Sequence, residues 1–206
     1  MTTTLAPPPQ PAEQQKWGKE EGDFWTVAEF HRAAAAGTFD DPDRLELVHG
    51  RLNRIMQGDR HANVCSRLSR QLRRALDPPL FARDEKPMHI ASDGEPIPDI
   101  MFTYQEEYEG HHPFPEDVAL LVEVSDTSAA YDLGDKALLY AQAGVTDYWV
   151  VLVNDPVVVA HRTPTPEGYQ DVTRLTGDDT LSPLATPGTA WAVNALLGRA
   201  GAPEEN

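Results

Sequence analysis

The sequence is poor in cysteine and in long apolar runs. Its single cysteine, Cys65, cannot form an intramolecular disulfide, which is typical of a protein in a reducing compartment. No Cys/His group has the spacing of a structural zinc site. No stretch approaches the roughly 20 apolar residues of a membrane-spanning helix. The N-terminus also lacks the basic and apolar segments of a secretion signal. We therefore expect a cytoplasmic protein without a membrane segment.

Positive charge is the second deficit. The chain has 17 Lys and Arg against 33 Asp and Glu, and its formal net charge is −16. This balance argues against general electrostatic attraction to nucleic acid, which usually requires a basic face. A local basic patch remains compatible with it, and the candidates are arginines of one predicted helix: Arg67, Arg70, Arg73 and Arg74. We favour the interpretation that they form a solvated helix face.

The length of 206 residues is sufficient for one domain with a hydrophobic core. Clustered prolines near the N-terminus, followed by Gln, Glu and Lys, predict a disordered tail over residues 1–22. A single domain over residues 23–198 and a C-terminal tail over residues 199–206 complete the predicted organisation.

A helix and a β-hairpin are predicted at the start of the domain. Thr26 and Glu29 form a capping box for a helix that runs to about Ala36. Two short apolar segments flank His49-Gly50, a pattern that predicts a hairpin. Glu46 lies in the first of these segments and alternates with its apolar neighbours. The hairpin alone therefore favours an exposed Glu46.

A long helix follows the hairpin, from about Asp59 to Leu76, with an apolar residue every four positions. His61 lies in its first turn, where a lone histidine is more often a surface or capping residue than a catalytic one. Strands are then predicted at 80–83, 86–91 and 98–102. The adjacent pair His111-His112 lies in the polar loop that follows, and we interpret it as part of a solvated loop.

The stretch 118–153 predicts a strand, a helix and a second strand. Residues 118–124 are apolar on both faces apart from Glu123, which is typical of a central strand. The helix is expected from about Ala129 or Tyr131 to Ala143, with Gly144 at its C-terminal end. The second strand covers 145–153, so the unit is a βαβ crossover with parallel strands. Later strands at 157–161 and 168–173 and a helix at 191–197 complete the domain.

Two charges in this unit lie where apolar residues are expected. Glu123 interrupts the central strand, and Lys136 falls on the inward arc of the helix, beside Tyr140, when the helix is drawn at about 100° per residue. Asp132, Asp135 and Leu139 fall outside that arc. A buried carboxylate or ammonium is costly unless it is paired or bound to metal. The simplest explanation is one buried ion pair, or a lysine that reaches solvent at the edge.

Asp99 favours a different explanation. It starts the strand at 98–102, and if that strand neighbours the central one, Asp99 and Glu123 bring two carboxylates to Lys136. Adjacent carboxylates repel unless one is protonated or a cation lies between them. Mg²⁺, which binds one or two carboxylates, water and phosphate oxygens, is the economical solution. Lys136 could then hold an attacking water or the phosphate charge.

The ordered set of motifs resembles the PD-(D/E)XK nuclease superfamily, and within it the bacterial restriction endonucleases of the Uma-two family. The resemblance extends from about Trp25 to Leu197. The segments that carry it are Leu45-Glu46-Leu47-Val48-His49-Gly50, His61, Pro98-Asp99-Ile100, Leu121-Val122-Glu123-Val124-Ser125-Asp126, Lys136 with Tyr140, Gly144-Val145 and Asp147-Tyr148-Trp149-Val150-Val151.

The resemblance implies a restriction-endonuclease-like α/β fold, with a mixed central sheet flanked by helices and an N-terminal helix and β-hairpin. It also implies hydrolysis of DNA phosphodiester bonds with Mg²⁺ or Mn²⁺. Asp99 and Glu123 match the metal-binding acids, and Glu46 matches an upstream acid of the family. The superfamily's usual lysine position holds Ser125 here, and Lys136 matches the lysine that this family places on the following helix. His61 matches a recurrent position without an assigned role.

Two other functions remain open at this point. A non-catalytic binding or oligomeric module could keep the same fold, and the acidic net charge modestly favours it. Hydrolysis of another phosphoester, in RNA or a nucleotide, is the second. A homodimer is compatible with the leading hypothesis, because nucleases that cut both strands often pair.

Overall fold

A six-stranded mixed sheet organises the protein, which is described here over residues 24–198 by a computed structural model. The tails predicted at 1–22 and 199–206 lie outside the described residues. The elements are α1 (Val27–Ala35), β1 (Leu45–Val48), β2 (Arg51–Arg54), α2 (Asp59–Leu76), β3 (Phe81–Asp84), β4 (Ile100–Thr103), β5 (Val118–Ser125), α3 (Ala129–Asp132), α4 (Asp135–Ala143), β6 (Asp147–Leu152), β7 (Val157–Thr165), β8 (Gly168–Thr176), β9 (Thr180–Leu181), β10 (Trp191–Ala192) and α5 (Val193–Leu196).

The strands of the main sheet lie in the order β3-β4-β5-β6-β7-β8. Only β5 and β6 are parallel to each other, and the other neighbours are antiparallel. The parallel pair is joined through α3 and α4, so the predicted βαβ crossover is confirmed. The predicted mixed α/β architecture is confirmed with it.

Helices cover both faces of the sheet, which is why β5 is buried along its whole length. On one face Leu68 and Leu72 of α2 belong to the same core cluster as Val122 of β5. On the other face Ala137 and Tyr140 of α4 pack in a second cluster. Because the central strand has no solvated face, any charged side chain on it must find partners inside the protein.

The N-terminal hairpin forms as predicted and packs beside α4. The capping box of α1 is present, with Glu29 N donating to Thr26 Oγ1 over 3.2 Å. His49 and Gly50 both have positive φ (48° and 73°), the combination that a tight two-residue hairpin turn requires. Leu47 exchanges backbone hydrogen bonds with Glu95. The hairpin is thereby attached to the segment that leads into β4.

Two predicted elements are wrong. Residues 86–91 form no strand, because their backbone groups bond to scattered partners: Met88 N donates to the carbonyl of Pro96, and His89 N to that of Pro113. The single helix predicted at 129–143 is divided into α3 and α4, because Gly134 leaves the helical conformation with φ −109° and ψ −95°. Gly144 ends α4 in the left-handed conformation, as predicted.

The C-terminal part also differs in detail. β7 and β8 are longer than predicted, and the closing helix α5 has only four residues. Trp191 and Ala192, expected within that helix, pair with β9 instead.

Candidate active site

Lys136 lies at the centre of a buried cluster of carboxylates. Its Nζ is 2.9 Å from Oε1 of Glu123 and 3.0 Å from Oε2 of Glu46. All three residues are at most 5% exposed. One ammonium group thus joins a carboxylate of the central strand to a carboxylate of the N-terminal hairpin.

Asp99 reaches the same cluster through the register of two strands. Ile100 of β4 pairs with Val122 of β5, so the residue before Ile100 lies beside Glu123. The backbone N–H of Asp99 points to Oε2 of Glu123 over 3.4 Å, and Val124 N donates to Oδ2 of Asp99 over 2.7 Å. The structure therefore brings together the two acids that the sequence analysis selected.

Glu46 is buried, so the exposed position expected from the hairpin alone is wrong. Its Oε2 accepts from Ile97 N as well as from Lys136, and its Oε1 accepts from the hydroxyl of Tyr131 at 3.2 Å. Asn53 of β2 donates in turn to the Tyr131 hydroxyl. The hairpin packs against α4 and this covers the strand face that alternation had assigned to solvent.

Tyr140 supplies a further hydrogen bond to Glu123. Its hydroxyl donates to Oε1 over 2.9 Å, one helical turn beyond Lys136. Both donors therefore meet the same carboxylate oxygen. The second oxygen, Oε2, accepts only the long contact from Asp99 N among the residues described.

His61 is also buried, so the expectation of a surface histidine is wrong. Its Nε2 is 3.1 Å from Oδ2 of Asp99. Cys65, one turn further along α2, has its Sγ 3.5 Å from Nδ1 of His61. The predicted helix placed His61 correctly in its first turn. Which side chain it meets depends on the packing of α2 against β4, which the sequence pattern does not specify.

Asp132 is a residue that the sequence analysis missed. It is 4% exposed and accepts a hydrogen bond from Ser128 Oγ at 2.5 Å. Ser125, which occupies the superfamily's usual lysine position, lies 3.3 Å from Ser128 through its own Oγ. The inward arc had been drawn too narrowly for Asp132. Leu139 also fell outside that arc and is 3% exposed, and Asp132 lies four positions before Lys136, on the same side of the helical segment.

The cluster carries more negative than positive charge. Burial raises the pKa of Glu123, the neighbouring carboxylates of Asp99, Asp132 and Glu46 add to this rise, and Lys136 opposes it. For Lys136, burial lowers the pKa, but Glu123 and Glu46 outweigh it, so the resulting pKa is well above its usual value. Lys136 is therefore an ammonium ion at neutral pH, and it is a single lysine among four buried carboxylates.

The donor set suits a hard divalent cation. Within residues 24–198, no hydrogen bond reaches Oδ1 of Asp99, and Oε2 of Glu123 is almost free. Carboxylate oxygens are the ligands that Mg²⁺ and Mn²⁺ prefer. Asp99 and Glu123 could therefore hold such an ion without breaking the bonds that fix their other oxygens.

The cluster forms the floor of an open cleft of about 630 Å³. Asp99, Glu123 and Lys136 line it together with Arg44 and Arg54. The arginines of α2 considered in the sequence analysis are not among the residues that line it. One of them, Arg73, pairs with Asp84 at 2.8 Å.

Comparisons with known proteins agree with this fold. Residues 27–194 match a family model, Uma2, described as "Putative restriction endonuclease". A crystal structure described as "a putative nuclease belonging to DUF820" from Anabaena variabilis ATCC 29413 is similar, with a TM-score of 0.61 and 15% sequence identity. The alignment covers 75% of this chain and 90% of that one, and at this identity it shows the fold. No curated protein matches the sequence. None of the helices in the described part of the chain is long and apolar enough to cross a membrane.

Proposed function

The chain belongs to the Uma2 family, and from this membership we propose that it is a metal-dependent endonuclease that hydrolyses phosphodiester bonds of DNA. The family description supports a nuclease function, and the site supplies the reason for metal dependence. The observation that carries the proposal is the excess of buried carboxylates over cations at the floor of an open cleft.

Asp99 and Glu123 are the residues that would hold Mg²⁺ or Mn²⁺. When bound there, the ion supplies Lewis-acid polarisation of the phosphate and a water of lowered pKa. His61 and Val124 N fix one oxygen of Asp99, while Lys136 and Tyr140 fix one oxygen of Glu123. Because these donors fix one oxygen of each carboxylate, the orientation of the carboxylate is set and its second oxygen is available as a metal ligand.

Lys136 acts as a hydrogen-bond donor and a positive charge, not as a general base. Its pKa is raised, so it does not accept a proton at neutral pH. An ammonium group has three N–H donors, of which Glu123 and Glu46 take two. The third can orient the attacking water or stabilise the negative charge that develops on the phosphate.

Glu46 acts as a positioning residue for Lys136. Its two oxygens are occupied by Lys136, Ile97 N and the Tyr131 hydroxyl, which leaves little capacity for a metal. It holds the ammonium together with Glu123. Glu46 therefore affects the metal site only indirectly, by positioning Lys136.

The cleft supports a nucleic acid substrate despite the acidic composition. Arg44 and Arg54 line the same cleft as the acids, so phosphates can meet positive charge there while the metal-binding carboxylates lie at the floor. We take DNA as the substrate from the family description. Cleavage of RNA instead of DNA would contradict the choice of substrate, and metal binding without any cleavage would contradict the nuclease function.

The test uses purified full-length protein on DNA, with and without Mg²⁺ or Mn²⁺. Glu123→Gln and Lys136→Met should each reduce metal-dependent cleavage by about 10³-fold or more. Glu95→Gln is the matched control, because Glu95 is also a buried carboxylate, paired with His31 at 2.7 Å, but does not line the cleft. Cleavage that persists in both site variants would refute the assignment.

A further inference from the structure

Three side chains at the edge of the cleft have the chemistry of a site for a softer metal ion. His61, Cys65 and Asp99 are buried, and one ligand atom from each lies within 4.8 Å of the other two. This is the only such group among residues 24–198. The sequence analysis missed it because His61 and Cys65 are four positions apart on α2 and the third member comes from the start of β4.

Two distances between the donor atoms are close to those of a tetrahedral zinc site. Usual Zn–N, Zn–O and Zn–S bond lengths give separations of about 3.4 Å between N and O and about 3.6 Å between S and N. Here Nε2 of His61 is 3.1 Å from Oδ2 of Asp99 and 3.6 Å from Sγ of Cys65. The sulfur is also 3.5 Å from Nδ1, so it lies beside the imidazole ring, and an ion in the ring plane requires His61 or Cys65 to rotate.

We propose that His61, Cys65 and Asp99 form a binding site for Zn²⁺ that shares Asp99 with the proposed Mg²⁺ site. Zinc favours the combination of imidazole, thiolate and carboxylate, whereas Mg²⁺ favours oxygen ligands alone. On binding, the ion takes the place of the thiol proton, which leaves to solvent. Water completes the coordination.

A simpler explanation is a buried His–Asp pair with a cysteine that acts as a small apolar residue. The access of solvent to the group favours the metal site. A second cleft, of about 490 Å³, is lined by Cys65 and Asp99, so an ion can reach the group. Arginines of α2 line the same cleft, and one of them, Arg73, is paired with Asp84.

Zinc and Mg²⁺ should weaken each other's binding, because the two sites share Asp99: its Oδ2 faces His61, and its Oδ1 is left for Mg²⁺. A bound Zn²⁺ draws electron density from the shared carboxylate and adds a positive charge beside the Mg²⁺ position. The site would therefore inhibit the enzyme. The inhibition rests on the proposed nuclease function, but zinc binding and the mutual weakening of metal binding do not.

Cobalt(II) is the probe for the site, because a thiolate–Co²⁺ bond gives a near-ultraviolet charge-transfer band. The chain has one cysteine, so any such band in untagged full-length protein reports Cys65. The variants are Cys65→Ser and His61→Gln. The matched control is His31→Gln, which also removes an imidazole paired with a buried carboxylate.

We expect the band in the wild type and in His31→Gln, its loss in Cys65→Ser, and displacement of Co²⁺ by Zn²⁺. Zinc affinity should fall more than tenfold in Cys65→Ser and in His61→Gln, because even the loss of an outer-shell partner costs about 10–100-fold. One equivalent of Zn²⁺ should release bound Mn²⁺, followed by its electron paramagnetic resonance signal, from the wild type but not from Cys65→Ser, which separates this effect from direct competition for the Asp99–Glu123 site.

Absence of the band, or unchanged zinc affinity in Cys65→Ser, would overturn the site. Mn²⁺ that stays bound when Zn²⁺ saturates the protein would overturn the shared ligand. A band that depends on Cys65 supports the site even if DNA is not cleaved, in which case only the nuclease function falls.

Discussion

The protein buries carboxylates in two regions of the same sheet and partners them differently. Asp147, at the start of β6, is 1% exposed. It accepts hydrogen bonds from Trp149 Nε1 at 2.8 Å, Arg162 Nε at 3.1 Å and Leu184 N at 2.8 Å. Glu123 on β5 is 3% exposed and accepts from Lys136 and Tyr140, but other carboxylates surround it.

The electrostatic contributions around the two acids have different signs. Burial raises the pKa of Asp147, and its strongest neighbours, Leu184 N, Arg162 and Trp149, lower it again. Burial also raises the pKa of Glu123; there Lys136 lowers it, but three neighbouring carboxylates raise it further. Asp147 therefore has the surroundings of a structural acid. Glu123 has surroundings that another cation would complete.

The largest effect on stability is expected at Asp147. Asp147→Ala should lower the free energy of unfolding by about 3 kcal/mol, because it leaves Arg162 without a carboxylate partner, the buried Trp149 Nε1 without an acceptor and Leu184 N without its side-chain acceptor. The low end of the usual range applies because the Arg162 side chain is 25% exposed. Denaturant unfolding monitored by circular dichroism measures the change.

Glu123→Gln is the counterpart of this variant in the cleft. The amide can still accept from Lys136, and Glu46 keeps the ammonium paired, so the free energy of unfolding should change by less than about 1 kcal/mol. Equal losses of stability in Asp147→Ala and Glu123→Gln would remove the distinction between the two regions.

Stabilisation by a divalent metal ion provides a second test of the difference between the two regions. At 100 times its dissociation constant, Mg²⁺ or Mn²⁺ should raise the free energy of unfolding of the wild type by about 2.7 kcal/mol. The rise should vanish in Asp99→Asn and persist in Asp147→Ala. Thermal unfolding at a series of metal concentrations tests this, and an equal rise in Asp99→Asn would place the metal elsewhere.

The sequence predicted the part of the site that depends on neighbouring strands. Asp99 and Glu123 each occupy a defined position in a predicted strand, and the central strand could be recognised because its residues are apolar on both faces. Once β4 and β5 are neighbours, the two acids must approach. The inward face of Lys136 followed from a helical segment that is itself regular. The family resemblance selected Glu46 as a site residue. Alternation in an isolated hairpin could not, because it contains no information about what packs on the hairpin.

The remaining features of the fold and the site depend on how separate elements pack against each other. His61 and Cys65 meet Asp99 only because α2 lies across the start of β4, and no local pattern encodes that crossing. Residues 86–91 have the composition of a strand, yet their backbone partners come from separate loops. Asp132 was placed outside the buried side because the inward arc of the helix was drawn too narrowly, as the burial of Leu139 also shows.

A smaller effect than that of Asp147→Ala is expected at the break between α3 and α4. A Cβ added at Gly134 would lie 2.7 Å from the backbone oxygen of Ala130, so Gly134→Ala must displace α3 or α4. Such overpacking costs about 1–3 kcal/mol, and the low end is expected because α3 is a short helix of four residues that can move. Gly188→Ala, where the new methyl group meets nothing within 4 Å, should change stability by less than about 0.5 kcal/mol. Because Gly134 lies between the segments that carry Asp132 and Lys136, Gly134→Ala should also weaken Mn²⁺ binding, whereas the Asp147 region should be unaffected. Unchanged Mn²⁺ affinity in a destabilised Gly134→Ala protein would show that the cluster is held by the sheet alone and that the interruption of the helix has no part in assembling the site.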